Sequence, residues 1–148
     1  MVLPNPCPLE SGPYRITARY GPVGTAHVGN ENRVVVSFSQ IFHLEQVEFC
    51  VYRITAPGGG SVEDRDTNVV VLKGVAEPQL WFIESPYDRL RNFTIRQERT
   101  DLVWTDPGGL PGPEHQLHLT IYDPNYDQQR FSIERVPDDV WENICKRK

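Results

Sequence analysis

The chain has 148 residues, with 20 acidic against 15 basic side chains and a formal net charge of -5. That length fits one compact domain, residues 1–148, with room for a sizeable core, and 39% hydrophobic with 24% charged residues is folded rather than disordered composition. Eleven Gly and thirteen Pro interrupt the chain too often for long helices, and the acidic balance argues against a nucleic-acid binder or a protein held to an anionic membrane by charge.

The first residues, Met1 to Pro8, carry neither a basic segment nor an apolar one, so no secretory signal is read and an intracellular, cytoplasmic protein is expected. The longest apolar run falls far short of a membrane span. Cys7, Cys50 and Cys145 are odd in number and widely spaced, which is no disulfide framework, and no C-x-x-C pair exists for zinc or redox chemistry. Cys50, in an apolar run, reads as a small core residue. A clip between the termini, Cys7 to Cys145, has only position in its favour.

Most apolar segments are short, β-branched or aromatic, and bounded by Gly, Pro, Asn or Asp, which predicts strands. Tyr-Arg-Ile-Thr-Ala occurs at Tyr14–Ala18 and again at Tyr52–Ala56, and Phe93-Thr94-Ile95-Arg96 is a third relative. After Tyr14 come Thr25–Val28, Arg33–Phe38 and a closing Gln46–Val51. Ser61–Arg65, Asn68–Lys73 and a closing Gln79–Glu84 follow Tyr52. After Phe93 come Leu102–Asp106, Gln116–Tyr122 and a closing Gln129–Arg135. Three units of four strands, at approximately residues 12–51, 52–92 and 93–136, predict an all-β fold of twelve strands: a β-trefoil, with a six-stranded barrel capped by three hairpins. Val47 to Ala56 is continuous, so Tyr52–Thr55 either closes the first unit or opens the second.

Tyr14, Ile16, Phe49, Val51, Trp81, Ile83, Phe93, Ile95, Phe131 and Ile133 are the predicted core. The closing segments each carry an aromatic (Phe49, Trp81, Phe131) suited to meeting near a pseudo-threefold axis. The tail, residues 137–148, has Asp138 and Asp139 before an apolar pair and basic residues last, which predicts a short helix.

No catalytic set stands out. His115 and His118 are three apart where loop runs into strand, a poor metal geometry, and no metal or other cofactor is expected. Gly-x-Ser-x-Gly, His-Glu-x-x-His and the Walker loop are all missing. Pro57–Gly60 and Gly108–Pro113 precede no helix and read as turns rather than phosphate cradles. Glu63, Asp64 and Asp66 read as solvated loop carboxylates. A non-enzyme is the expectation, with function on loops held by a rigid barrel.

The length, the Gly12-Pro13-Tyr14-Arg15-Ile16 opening, the absence of a signal or disulfide pattern, and the closing Arg130-Phe131-Ser132-Ile133-Glu134 together resemble the small β-trefoil protease inhibitors of mushrooms, over roughly residues 11–136. The chain looks closer to the branch that inhibits trypsin-type serine proteases. The resemblance implies a trypsin-like serine protease as partner, a monomeric inhibitor, and a rigid substrate-like loop whose Arg or Lys fills a pocket ending in a carboxylate. Arg suits that pocket because its planar fork pairs bidentately.

In some trypsin-inhibiting members the loop between the second and third strands carries the reactive Arg. That implies Arg33, followed by Val34, with Asn30, Glu31 and Asn32 flanking. Arg89 and Arg91, in the longer loop after Ser85, are secondary candidates. Asp123–Asp127 lacks the basic residue that other members use there. The cysteine-protease branch would instead wedge Arg19–Gly24 and Ser39–Glu45 into a papain-like cleft, while Pro57–Gly60 lacks the Asn that legumain inhibition uses. A carbohydrate-binding β-trefoil is the remaining alternative, although only Gln79-Leu80-Trp81 fits the Gln-x-Trp lectin pattern.

Overall fold

The computed structural model describes residue 7, residues 9–85 and residues 92–146. It holds twelve strands: β1 (Gly12–Ala18), β2 (Gly21–Val28), β3 (Glu31–Val36), β4 (Ile41–Glu48), β5 (Val51–Thr55), β6 (Ser61–Arg65), β7 (Asn68–Leu72), β8 (Leu80–Glu84), β9 (Thr94–Gln97), β10 (Leu102–Thr105), β11 (His118–Ile121) and β12 (Ser132–Arg135). One α-helix, α1 (Asp138–Lys146), ends the described chain, as the acidic start of the tail predicts, and a 3-10 turn spans Asp127–Gln129.

All strand pairings are antiparallel. The path β11-β10-β9-β8-β5-β4-β1-β2-β3-β7 closes through β7–β11 into a ring of ten strands, with β6 on β7 and β12 on β1. Within it lies a smaller circuit. β1, β4, β5, β8 and β9 follow one another, β12 pairs with β1, and a Phe93–Phe131 bridge joins the two ends. The hairpins β2–β3, β6–β7 and β10–β11 meet at Arg33–Val70, Asn68–His118 and Val35–Gln116. This is the strand plan that a barrel with three hairpins requires, and closure leaves few unpaired edges.

Period-two alternation explains why these segments are strands. In β1, Tyr14, Ile16 and Ala18 are buried while Arg15 and Thr17 face water. Tyr52 and Ile54 of β5, Trp81 and Ile83 of β8, and Ile133 of β12 point into the same core. Tyr52–Thr55 lies in β5, paired with β4 on one side and β8 on the other.

The strand before β5 is Ile41–Glu48, not Gln46–Val51, because the β4–β5 register shifts between Gln46 and Glu48 and the chain turns at Phe49–Cys50. The turn places Phe49 at 68% exposure rather than in the core. Trp104 of β10 supplies the aromatic contact instead: its ring stands edge-on to Trp81 at 5.7 Å and to Phe131 at 5.9 Å. Cys50 is buried but is neither free nor a partner for Cys145. It forms a disulfide with Cys7, Cα atoms 5.1 Å apart. Antiparallel pairing of β1 with β4 brings the segment before β1 beside the turn after β4, a proximity that spacing along the chain does not reveal.

Tyr52 donates to the Leu9 carbonyl at 2.5 Å, and burial, with Tyr14 nearby, pushes its hydroxyl up to about 12. Glu63 is buried, not solvated. It accepts from the Ser61 hydroxyl at 2.5 Å and from the Gln79 amide at 2.9 Å. Asp64 accepts from Gln97 Nε2 at 2.9 Å. These carboxylates are structural ties between β6 and its neighbours.

Candidate functional site

The β2–β3 hairpin is tighter than the sequence suggests. Val28 pairs with Glu31, so only Gly29 and Asn30 form the turn. Gly29 has φ 63°, the left-handed conformation that a two-residue hairpin asks of its first turn residue. Asn30 is exposed at the tip. Glu31, Asn32, Arg33 and Val34 are strand residues rather than open loop.

Arg33 pairs in register with Ala26 on one side and Val70 on the other. Its side chain is 23% exposed and is held by Glu31 at 2.9 Å, Glu114 at 3.8 Å and the Pro113 carbonyl at 3.4 Å. Val34 is fully buried, and its carbonyl accepts from the Leu117 amide at 3.0 Å. The Arg33–Val34 peptide is thus built into the sheet on both sides. Arg89 and Arg91 lie outside the described residues.

Arg33 leans on a second feature, the long connection from β10 to β11, whose Gly108–Pro113 is expected from sequence to be turn alone. Asp106 and His115 bracket its exposed part, and both are buried. Asp106 Oδ1 meets His115 Nε2 and accepts from the Gly108 amide at 2.9 Å; Oδ2 accepts from the Tyr20 amide at 3.0 Å. His115 Nδ1 faces the Leu110 carbonyl at 3.1 Å. The backbone is tied as well. Gly112 donates to Val36 and Val36 to His115, while Asp106 donates to Gln128. Leu110 sits at the apex, 90% exposed.

The other candidates are smaller. Arg19 and Tyr20 alone join β1 to β2, so the stretch expected to wedge into a cysteine-protease cleft is mostly strand. Trp81 is fully buried and its Nε1 donates to the Val62 carbonyl at 3.0 Å, which makes it core and not a sugar platform. His118 meets Asn68 Oδ1 at 2.6 Å, and burial lowers its pKa below the ordinary histidine value. His115 and His118 have different partners, and no cluster of three metal-ligating side chains occurs among the described residues.

No protein-family model matches the chain, and no curated protein matches it. Solved structures do. The Macrolepiota procera ricin B-like lectin, in complex with lactose, aligns with a TM-score of 0.72 and 16% identity over 86% of this chain and 99% of that one. A proteinase inhibitor from Coprinopsis cinerea aligns with a TM-score of 0.68 and 18% identity over 86% and 99%. The Polyporus squamosus lectin, bound to a sialylated epitope, gives 0.70 and 14% over 86% of this chain, which spans half that lectin's length. At these identities the likeness establishes a shared fold.

Proposed function

We propose that the protein inhibits a protease of the trypsin type, with the end of the β2–β3 hairpin as its contact. Arg33 supplies the basic side chain for the specificity pocket, and Asn30, Glu31, Asn32 and Val34 flank it. The observation that carries this reading is the likeness to the Coprinopsis cinerea proteinase inhibitor along nearly that chain's whole length. A basic residue three positions beyond an exposed, rigid tip supports it.

The geometry favours a mode unlike that of a substrate. With Val34 buried and Arg33 paired on both sides, presenting that peptide bond to a nucleophile would require unzipping β3. The side chain alone can leave. Its ion pairs with Glu31 and Glu114 are partly exposed and worth about 0–1 kcal/mol each. A bidentate pair with a pocket carboxylate, out of water, outweighs them. The barrel supplies a preformed surface, so little ordering is lost on binding.

Measured inhibition of trypsin by the wild type and by Arg33→Ala tests the reading. Inhibition that survives in Arg33→Ala removes Arg33 from the contact, and a wild type inert toward trypsin removes the trypsin assignment. Carbohydrate binding is the second reading, supported by the likeness to a lactose-bound lectin; a glycan-binding screen of the wild type tests it.

A further inference from the structure

The β10–β11 connection, Asp106 to Leu117, is a twelve-residue stretch outside the named strands and helix, pinned at its end where Gln116 bridges to Val35 and Leu117 donates to Val34, and loops positioned by a rigid scaffold are where binding residues concentrate. It is also over-determined from beneath. A buried Asp–His pair is an expensive way to hold a turn, since both groups lose water and must find partners in the fold. Here the partners are all present, and each one fixes the loop. Asp106 holds Gly108 and the β1–β2 turn at Tyr20, His115 holds the Leu110 carbonyl, and Gly112 is tied to β3. Pro107, Pro111 and Pro113 stiffen the exposed part further.

This scaffold presents one large apolar side chain. Leu110 is more exposed than any other large hydrophobic residue among those described, and Gly109 beside it leaves open space on its flank. Tyr20, 48% exposed, packs its ring against Gly108 at the foot of the loop. A lone exposed Leu is ordinary on a protein surface; one raised on a rigid, buried-charge staple is a ready anchor, because its docking costs little ordering.

We infer that Leu110 is the anchor of a second inhibitory surface, which plugs the apolar specificity pocket of a chymotrypsin- or subtilisin-type protease. The inference rests on the inhibitor reading above and extends it to a second enzyme class. No bond is cut in this mode. The Leu110 carbonyl is turned inward to His115, and the next peptide nitrogen belongs to Pro111, so the loop fills the pocket without offering a scissile bond to the nucleophile.

The test is inhibition of chymotrypsin, subtilisin and trypsin by the wild type, Leu110→Ala and Leu110→Met. Leu110 is exposed, so its replacement should leave folding intact, and a matching thermal midpoint verifies this. The expected result is inhibition of chymotrypsin or subtilisin by the wild type, weakened about ten- to hundredfold in Leu110→Ala, largely restored in Leu110→Met, with trypsin inhibition unchanged. Equal inhibition of the apolar-pocket enzyme by wild type and Leu110→Ala overturns the inference. A wild type that inhibits trypsin but neither chymotrypsin nor subtilisin overturns it while leaving the trypsin reading standing. A wild type inert toward all three removes both.

Discussion

Trp104 meets Trp81 edge to face, ring centroids 5.7 Å apart and planes at 80°. Phe131 continues the contact from Trp104 at 5.9 Å and 89°. One aromatic from β8, one from β10 and one at the entry to β12 thus share the centre of the core. Because these three rings fill the interior jointly, Trp104→Ala should destabilise the fold by about 3–5 kcal/mol through cavity formation. Urea denaturation measures it. Below the transition the variant should keep any protease inhibition, since no loop is touched.

The disulfide makes a second prediction. Cys7 and Cys50 close a loop with a sequence separation of 43, and restricting the unfolded chain over that length stabilises the fold by about 2–4 kcal/mol. Reductant should therefore lower the thermal midpoint of the wild type and leave that of Cys50→Ser unmoved.

Stability should fall at both ends of the pH scale, for separate reasons. Tyr52 holds its proton up to about 12 in the folded chain against 10.0 ordinarily. The folded state therefore binds more protons between those values. Its contribution is intact below pH 10 and is lost as pH rises toward 12. Burial lowers His118 below 6.5, so the unfolded chain takes up that proton first, and stability drops as pH falls through 6.5 and below. Urea midpoints measured across pH should show both limbs, with Tyr52→Phe flattening the alkaline one and His118→Gln the acid one.

Removing either half of the Asp106–His115 pair leaves its partner buried among groups arranged for it. His115→Ala should cost about 3–5 kcal/mol and expose residues 107–114 to proteolysis. Leu110→Ala should do neither. Limited digestion followed by mass mapping of the first cleavage site separates the two.

Much of this architecture is legible in the residues, because local signals and fold agree. The repeated Tyr-Arg-Ile-Thr-Ala marks β1 and β5, each with its aromatic and its Ile on the core side. Alternation fails at Phe49, where a register shift and a left-handed Cys50, φ 65°, reverse which residues face inward. Nothing local announces either. The β2–β3 turn is shorter than its sequence suggests for a similar reason: Gly29-Asn30 suffices as a turn, so Glu31 and Asn32 already pair in β3 although their polarity reads as loop. Asp106 and His115 are further apart still in legibility. Asp106 reads as the end of a strand and His115 as a residue where loop runs into strand, and only the folded chain sets them against each other with Tyr20 and Gln128.

Cys7, Leu9 and Glu10 are each fastened from the barrel side: Cys7 by its bond to Cys50, the Leu9 carbonyl by the Tyr52 hydroxyl and the Glu10 carbonyl by the Tyr14 hydroxyl, with the Leu9 side chain buried. They behave as a stopper rather than a tail. Trimming the protein back to Ser11 would uncork the core, leaving two tyrosine hydroxyls without their carbonyl acceptors. A purification tag or fluorescent fusion is therefore better carried beyond α1.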